Sequence, residues 1–103
     1  MDLNNAYKMI NNSLTITREQ RSAIMASAGV AIANSALDGF WRKPDDARYK
    51  PVSKPVLLGF CRGILALCPP DNPEQVAALR VIADSQDQGG RLTDDMLRAF
   101  TPT

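Results

Sequence analysis

Apolar residues recur at intervals of three and four along most of this chain, and no stretch of real length alternates with a period of two. That spacing sets one stripe of a helix against a core. Leu3, Tyr7, Ile10 and Leu14 make the first stripe, with Asn4 or Asn5 placed to cap its start and Asn11-Asn12-Ser13 weakening its end. Thr17 stands three residues before Gln20, a capping-box pattern, and opens a second helix reaching Ala28. Ala23, Ile24 and Ala28 fall on its inner face and Met25 at the margin, while Gly29 suits the left-handed residue that ends a helix. After a tight connection from Val30 to Ala33, a third helix capped by Asn34 or Ser35 carries Ala36, Leu37, Phe40 and Trp41. Pro44 disfavours helical geometry at Lys43, so this helix stops near Arg42. Pro44-Asp45-Asp46 is turn chemistry, and the segment up to Val52 reads as irregular, anchored by Tyr49 and bent at Pro51.

The fourth helix starts at the cap Ser53 with Pro55 in its first turn. Leu57, Phe60, Cys61, Ile64 and Cys68 line one stripe, and Val56, Leu65 and Leu67 widen it. Hydrophobicity on nearly all sides predicts a central helix, or one partly buried in a partner. Gly59 and Gly63, four residues apart, permit close approach of another helix, and Pro69-Pro70 ends the segment. Asn72-Pro73-Glu74-Gln75 supplies a cap, a first-turn proline and a capping-box glutamine for a fifth helix, whose inner face is Val76, Leu79, Ile82 and Ala83. Gly89-Gly90 breaks it. Thr93 caps a last short helix, with Leu92 and Leu97 at staple positions and Phe100 docking on the rest. The chain therefore reads as an all-α bundle of five or six short helices in one domain. Residues 69–103 form a C-terminal pair packed on a unit spanning residues 1–68.

Composition changes this picture little. The chain has 103 residues, 45% hydrophobic and 22% charged, enough for a modest core without staples. Net charge is +1, unevenly placed. Up to Cys68 there are nine Lys or Arg against five Asp or Glu; from Pro69 onward three Arg face six acids. Cys61 and Cys68 lie on one helical face but roughly 10 Å apart in rise, too far for an intrachain bridge. Two reduced thiols suit the cytoplasm, and the polar start at Met1-Asp2-Leu3-Asn4-Asn5 is unlike a signal peptide. No apolar run reaches membrane-spanning length.

Candidate chemistry is sparse. There is no histidine, which removes histidine bases and histidine metal ligands, and no metal or cofactor is expected. Phosphate loops, dinucleotide fingerprints and nucleophile elbows are missing. Asp45-Asp46 and Asp94-Asp95 are adjacent pairs that point in different directions, as solvated turn and helix-start residues do. Residues 83–97 resemble a calcium loop in outline. With Gly90 at its invariant glycine, however, Met96 falls at position twelve and Asp87 is the only first-rank ligand, so a helix–loop–helix corner is expected.

A wider pattern runs through Ala28-Gly29, Ile32, Ser35, Leu37, Phe40-Trp41-Arg42-Lys43-Pro44, Tyr49-Lys50-Pro51, Leu57, Phe60 and Gly63-Ile64. With the Asn4-Asn5 start and the Leu3/Ile10/Leu14 spacing, it resembles the repeat unit of the YehS-like bacterial family over roughly residues 2 to 66. Val52-Ser53-Lys54-Pro55 stands where that family tends to carry a Gly-Asp-Gln-like run. The resemblance implies a bacterial all-helical module and supplies no mechanism. Members carry two such units in tandem, and a single unit implies pairing with another chain.

Two functions follow as expectations. The first is a non-enzymatic regulatory module acting by protein–protein contact as a homodimer, with Phe40, Trp41, Val56, Leu57 and Phe60 as contact residues. The second is a DNA-binding regulator, in which the second and third helices form a helix-turn-helix-like pair and Arg42, Lys43, Arg48, Lys50 and Lys54 touch phosphates.

Overall fold

The computed structural model describes residues 2–30, 32–85 and 94–101. Among these residues five α-helices and one 3-10 helix follow in order: α1 Leu3–Leu14, α2 Arg18–Ser27, α3 Asn34–Gly39, α4 Lys54–Leu67, α5 Pro73–Asp84 and the 3-10 helix Asp94–Phe100. The fold is all-helical, as the periodicity predicts. The Gly89-Gly90 break, the Thr93 cap, Leu92 and most of the calcium-loop-like stretch lie outside the described residues.

Helix α4 is the centre. It packs mainly against α2 and α5 and also touches α1, while the 3-10 helix bridges α1 and α5. Leu57, Leu58, Phe60, Cys61 and Ile64 are all at most 1% exposed. Each such apolar side chain contributes about 1.5–3 kcal/mol on burial, so this one helix carries a large part of the core. Gly63 sets the closest contact: a Cβ there would overlap the carbonyl oxygen of Ile24 and lie 2.6 Å from its Cγ2. Helices α2 and α4 meet at that residue, the close approach that the Gly59/Gly63 spacing predicts.

Several helix ends match their sequence signals. Thr17 and Gln20 form the reciprocal capping box, Ser53 accepts from the Val56 N–H, and Asn72 accepts from Glu74 and Gln75. Gly29 adopts φ +74° where α2 ends. Other ends differ. Asp2, not Asn4 or Asn5, caps α1 by accepting from both their N–H groups. Helix α3 follows Ala33 with no side-chain cap and ends at Gly39, before Arg42. In α2, Met25 is buried and Ala23 is exposed, the reverse of expectation, because the helix leans its Ile24–Met25 edge onto α4. Gln75 makes no capping box: its amide donates to Ser13 Oγ at 3.0 Å and to the Ala99 carbonyl at 3.2 Å, tying α5 to α1 and the 3-10 helix.

A buried asparagine fixes the irregular segment. Asn4 is 7% exposed. Its Nδ2 donates to the carbonyls of Phe40 (3.1 Å) and Lys50 (2.9 Å), and its Oδ1 accepts from the Val52 N–H (2.9 Å) and the Tyr49 hydroxyl (3.2 Å). Every hydrogen-bonding direction of the amide is used, which removes the cost of burying it. One side chain thus clamps both ends of residues 40–52 onto the start of α1.

Candidate functional site: an aromatic and cationic recess

Tyr7 is the hub beneath the site. Its ring meets Phe40 edge-on at 5.3 Å, Trp41 edge-on at 5.9 Å and Phe60 at 4.8 Å. Phe40 and Phe60 are sealed by these contacts, whereas Trp41, just past the end of α3, is only half-buried. The Tyr7 hydroxyl sits beside the Asn11 amide and the Trp41 indole, yet neither it nor Trp41 Nε1 completes a hydrogen bond of normal geometry. Burial pushes the Tyr7 phenol above its ordinary pKa, and the nearby Arg21 charge opposes that shift.

Arg21 covers the outer face of the indole, its guanidinium carbon 5.1 Å from the ring centroid. This cation–π contact is worth about 0.5–1 kcal/mol at an accessible site. The guanidinium is held in place by neutral acceptors, Asn11 Oδ1 and the Ile16 carbonyl, both at 3.3 Å. No carboxylate among the described residues pairs with it. Around this stack opens a recess of about 700 Å³ lined by Arg21, Asp38, Trp41, Arg42, Lys43 and Asp46.

Both acids on its rim are already engaged. Asp38 Oδ2 receives Arg18 Nη2 at 2.9 Å, joining α3 to α2. Asp46 Oδ1 accepts the Arg48 N–H at 2.8 Å and faces Arg48 Nε at 3.4 Å, while Oδ2 lies 3.6 Å from Arg42 Nη1. The Arg48 amide, followed by the guanidinium charges, holds the Asp46 carboxyl below the usual carboxylate range. Lys43 is exposed and forms no ion pair among the described residues.

The ten residues singled out from sequence are therefore split. Trp41, Arg42 and Lys43 share this recess. Phe40, Leu57 and Phe60, expected as partner contacts, are core residues at 4%, 0% and 0% exposure; their aromatic and aliphatic surface is spent on Tyr7 and the neighbouring helices. Val56 is half-buried on α4, away from the recess lining. Arg48 and Lys50 line an adjoining hollow with Ser35 and Ala47, which shares Asp38 and Arg42 with the recess, and Lys54 is half-buried at the start of α4, engaged with another group. Of the basic turn, Arg42, Lys43, Arg48 and Lys50 thus lie around two cavities that share Arg42, with Lys54 in neither lining. Arg21 was missed from sequence because an arginine in a polar helix reads as solvated surface; only the packing shows it stacked on Trp41.

The two cysteines are free. Burial pushes the Cys61 thiol up to about 12 and raises Cys68 in the same direction, so neither is primed for nucleophilic chemistry. Among the described residues no three His, Cys, Asp or Glu converge as metal ligands, and no helix is long and apolar enough to cross a membrane. Comparison of the chain with protein-family models, curated proteins and solved structures finds no match.

Proposed function

We propose that this chain is a small non-enzymatic regulatory module that acts by protein–protein contact and pairs with a second copy of itself through the Trp41 recess. The observation that carries the reading is Arg21: a half-buried guanidinium, stacked on an aromatic face and fixed by neutral acceptors, with no carboxylate partner among the described residues. With exposed Lys43 beside it, the recess presents an apolar floor flanked by unmatched positive charge.

The same chain displays the complement. Glu74, Ala77, Val81 and Asp84 fall on one stripe of α5, and all are exposed. Val81 is 45% exposed, one of two large hydrophobics so displayed among the described residues; Asp84 lies one turn on, Glu74 two turns back, and exposed Arg80 stands next to it. An aliphatic side chain with a carboxylate one turn away fits an indole stacked under Arg21 with Lys43 nearby, and electrostatic complementarity of this kind fixes partner and register. Each copy contributes one recess and one α5 stripe; contact made reciprocally about a two-fold closes a dimer, and contact made head to tail runs on as a chain of copies, which mass distinguishes. A stable pair requires about 800 Å² from each copy, against a total surface of 6117 Å². The YehS-like resemblance points the same way, because it implies a unit that normally has a second unit beside it.

Light scattering over a concentration series tests this. The expected result is a dimer at low salt that weakens as salt rises, and that is lost in the surface variants Lys43→Glu and Val81→Glu with helicity unchanged. A wild-type monomer at every concentration contradicts it. A mass increase that requires added DNA would instead favour the nucleic-acid reading, which draws on Arg42, Lys43, Arg48, Lys50 and Lys54.

A further inference from the structure

We infer that Asp46 sets the selectivity of the recess: by occupying Arg42 and Arg48, its carboxylate keeps the surface matched to an acidic protein face and turns away phosphate polyanions. The inference rests on the reading of the recess as a protein-docking surface and adds the residue that would decide which anions it takes.

The geometry is specific. Arg42, Lys43 and Arg48 lie within seven residues of one another, and Lys50 follows, a density of cations that suits a phosphate backbone. Asp46 sits among them with each oxygen assigned to a different arginine, Oδ1 to Arg48 and Oδ2 to Arg42. The carboxylate is anchored by the Arg48 main-chain N–H at 2.8 Å, so it does not rely on either guanidinium for its position. Its side chain is 29% exposed, between arginines 33% and 71% exposed, which leaves it standing where an incoming phosphate would have to go. Asp38, also in the recess lining, occupies Arg18 in the same way. Of the cations lining the recess, Arg21 and Lys43 remain without a carboxylate among the described residues, and Lys50 is unpaired in the adjoining hollow; scattered single charges suit separate carboxylates on a folded partner better than a run of phosphates, whose binding grows with each cation freed to displace a counterion.

Asparagine at position 46 separates the charge from the fold, because its side-chain oxygen still accepts the Arg48 N–H. The test is fluorescence anisotropy of a labelled 20-base-pair duplex with wild type and Asp46→Asn over a salt series. Asp46→Ser, which retains a short acceptor, guards against loss of fold in the first variant, and melting by circular dichroism is followed for both. The expected result is weak duplex binding by wild type and a gain of about tenfold or more at low salt in the variants. The logarithmic salt slope should steepen by about two, one for each arginine released. Adding Arg42→Ala and Arg48→Ala to Asp46→Asn should abolish the gain.

Unchanged affinity and slope in folded Asp46→Asn and Asp46→Ser would overturn the inference, as would tight duplex binding by wild type. Light scattering on the same samples keeps the two readings apart. Gained duplex binding by a protein that never self-associates would sink the homodimer and leave the role of Asp46 standing. Self-association with duplex binding unmoved by the variants would do the reverse.

Discussion

Replacing Asn4 with alanine removes four hydrogen bonds at once and leaves their partners behind. The bonds to the Phe40 carbonyl and the Val52 N–H are buried; the Lys50 carbonyl and the Tyr49 hydroxyl are partly buried. A buried group left without a partner costs about 1–3 kcal/mol, whereas a bond whose partner regains water costs nearer 0.5 kcal/mol. Two groups of the first kind and two of the second give about 3 kcal/mol, allowing for one water entering the vacated space. For a domain of this size that lowers Tm by about 15 °C. The assay is thermal and urea unfolding followed by far-ultraviolet circular dichroism and by Trp41 emission, since Trp41 is the only tryptophan. Asn4→Asp should do no better, because a carboxylate oxygen would then face the two carbonyls that Nδ2 now serves. Asn5→Ala, at an exposed position whose side chain reaches only Met9 Sδ, is the control and should stay within about 0.5 kcal/mol. A loss under about 1 kcal/mol for Asn4→Ala would refute the clamp.

Three further outcomes are expected. Gly63→Ala forces a methyl group into Ile24 and should cost about 1–3 kcal/mol by overpacking, read from the urea midpoint. Under native conditions at pH 8 a thiol reagent should label only Cys68, which is partly exposed, and both cysteines only in denaturant. The Cys61 thiol, ordinary when unfolded and at about 12 when folded, contributes stability that is intact below its unfolded value near 9 and is lost as pH rises through the folded value. The raised Tyr7 phenol acts in the same direction from about pH 10. Stability should therefore fall steadily above pH 9, and Cys61→Val should flatten the lower part of that fall.

The legible features of the sequence were those with local causes. Thr17 and Gln20 announce a capping box, Ser53 and Asn72 announce helix starts, and the α4 stripe announces a central helix; each needs only neighbours a few residues away. The features that escaped depend on distant partners. Asn4 reads as a cap because asparagine near a helix start usually is one, and nothing local shows that residues 40–52 will fold over it. Gln75 reads as a capping-box residue for the same reason. At the site, Trp41-Arg42-Lys43 stood out as an aromatic joined to a basic turn. Whether Phe40 or Trp41 faces outward depended on where Tyr7 packs, and Arg21 gained its place only through the contact of α2 with the end of α3. In sequence Asp46 reads as simple turn chemistry, and its two arginine partners are visible only in three dimensions.

Trp41 itself reports on whether the recess receives the α5 stripe of a second copy. Its emission and its quenching by iodide should be followed as the protein is diluted at low salt. Occupation of the recess predicts a blue-shifted, protected indole at high concentration that shifts red and becomes quenchable on dilution, with Val81→Glu in the red, quenchable state throughout. Emission and quenching that do not change with concentration, and that are the same in wild type and Val81→Glu, would contradict the account.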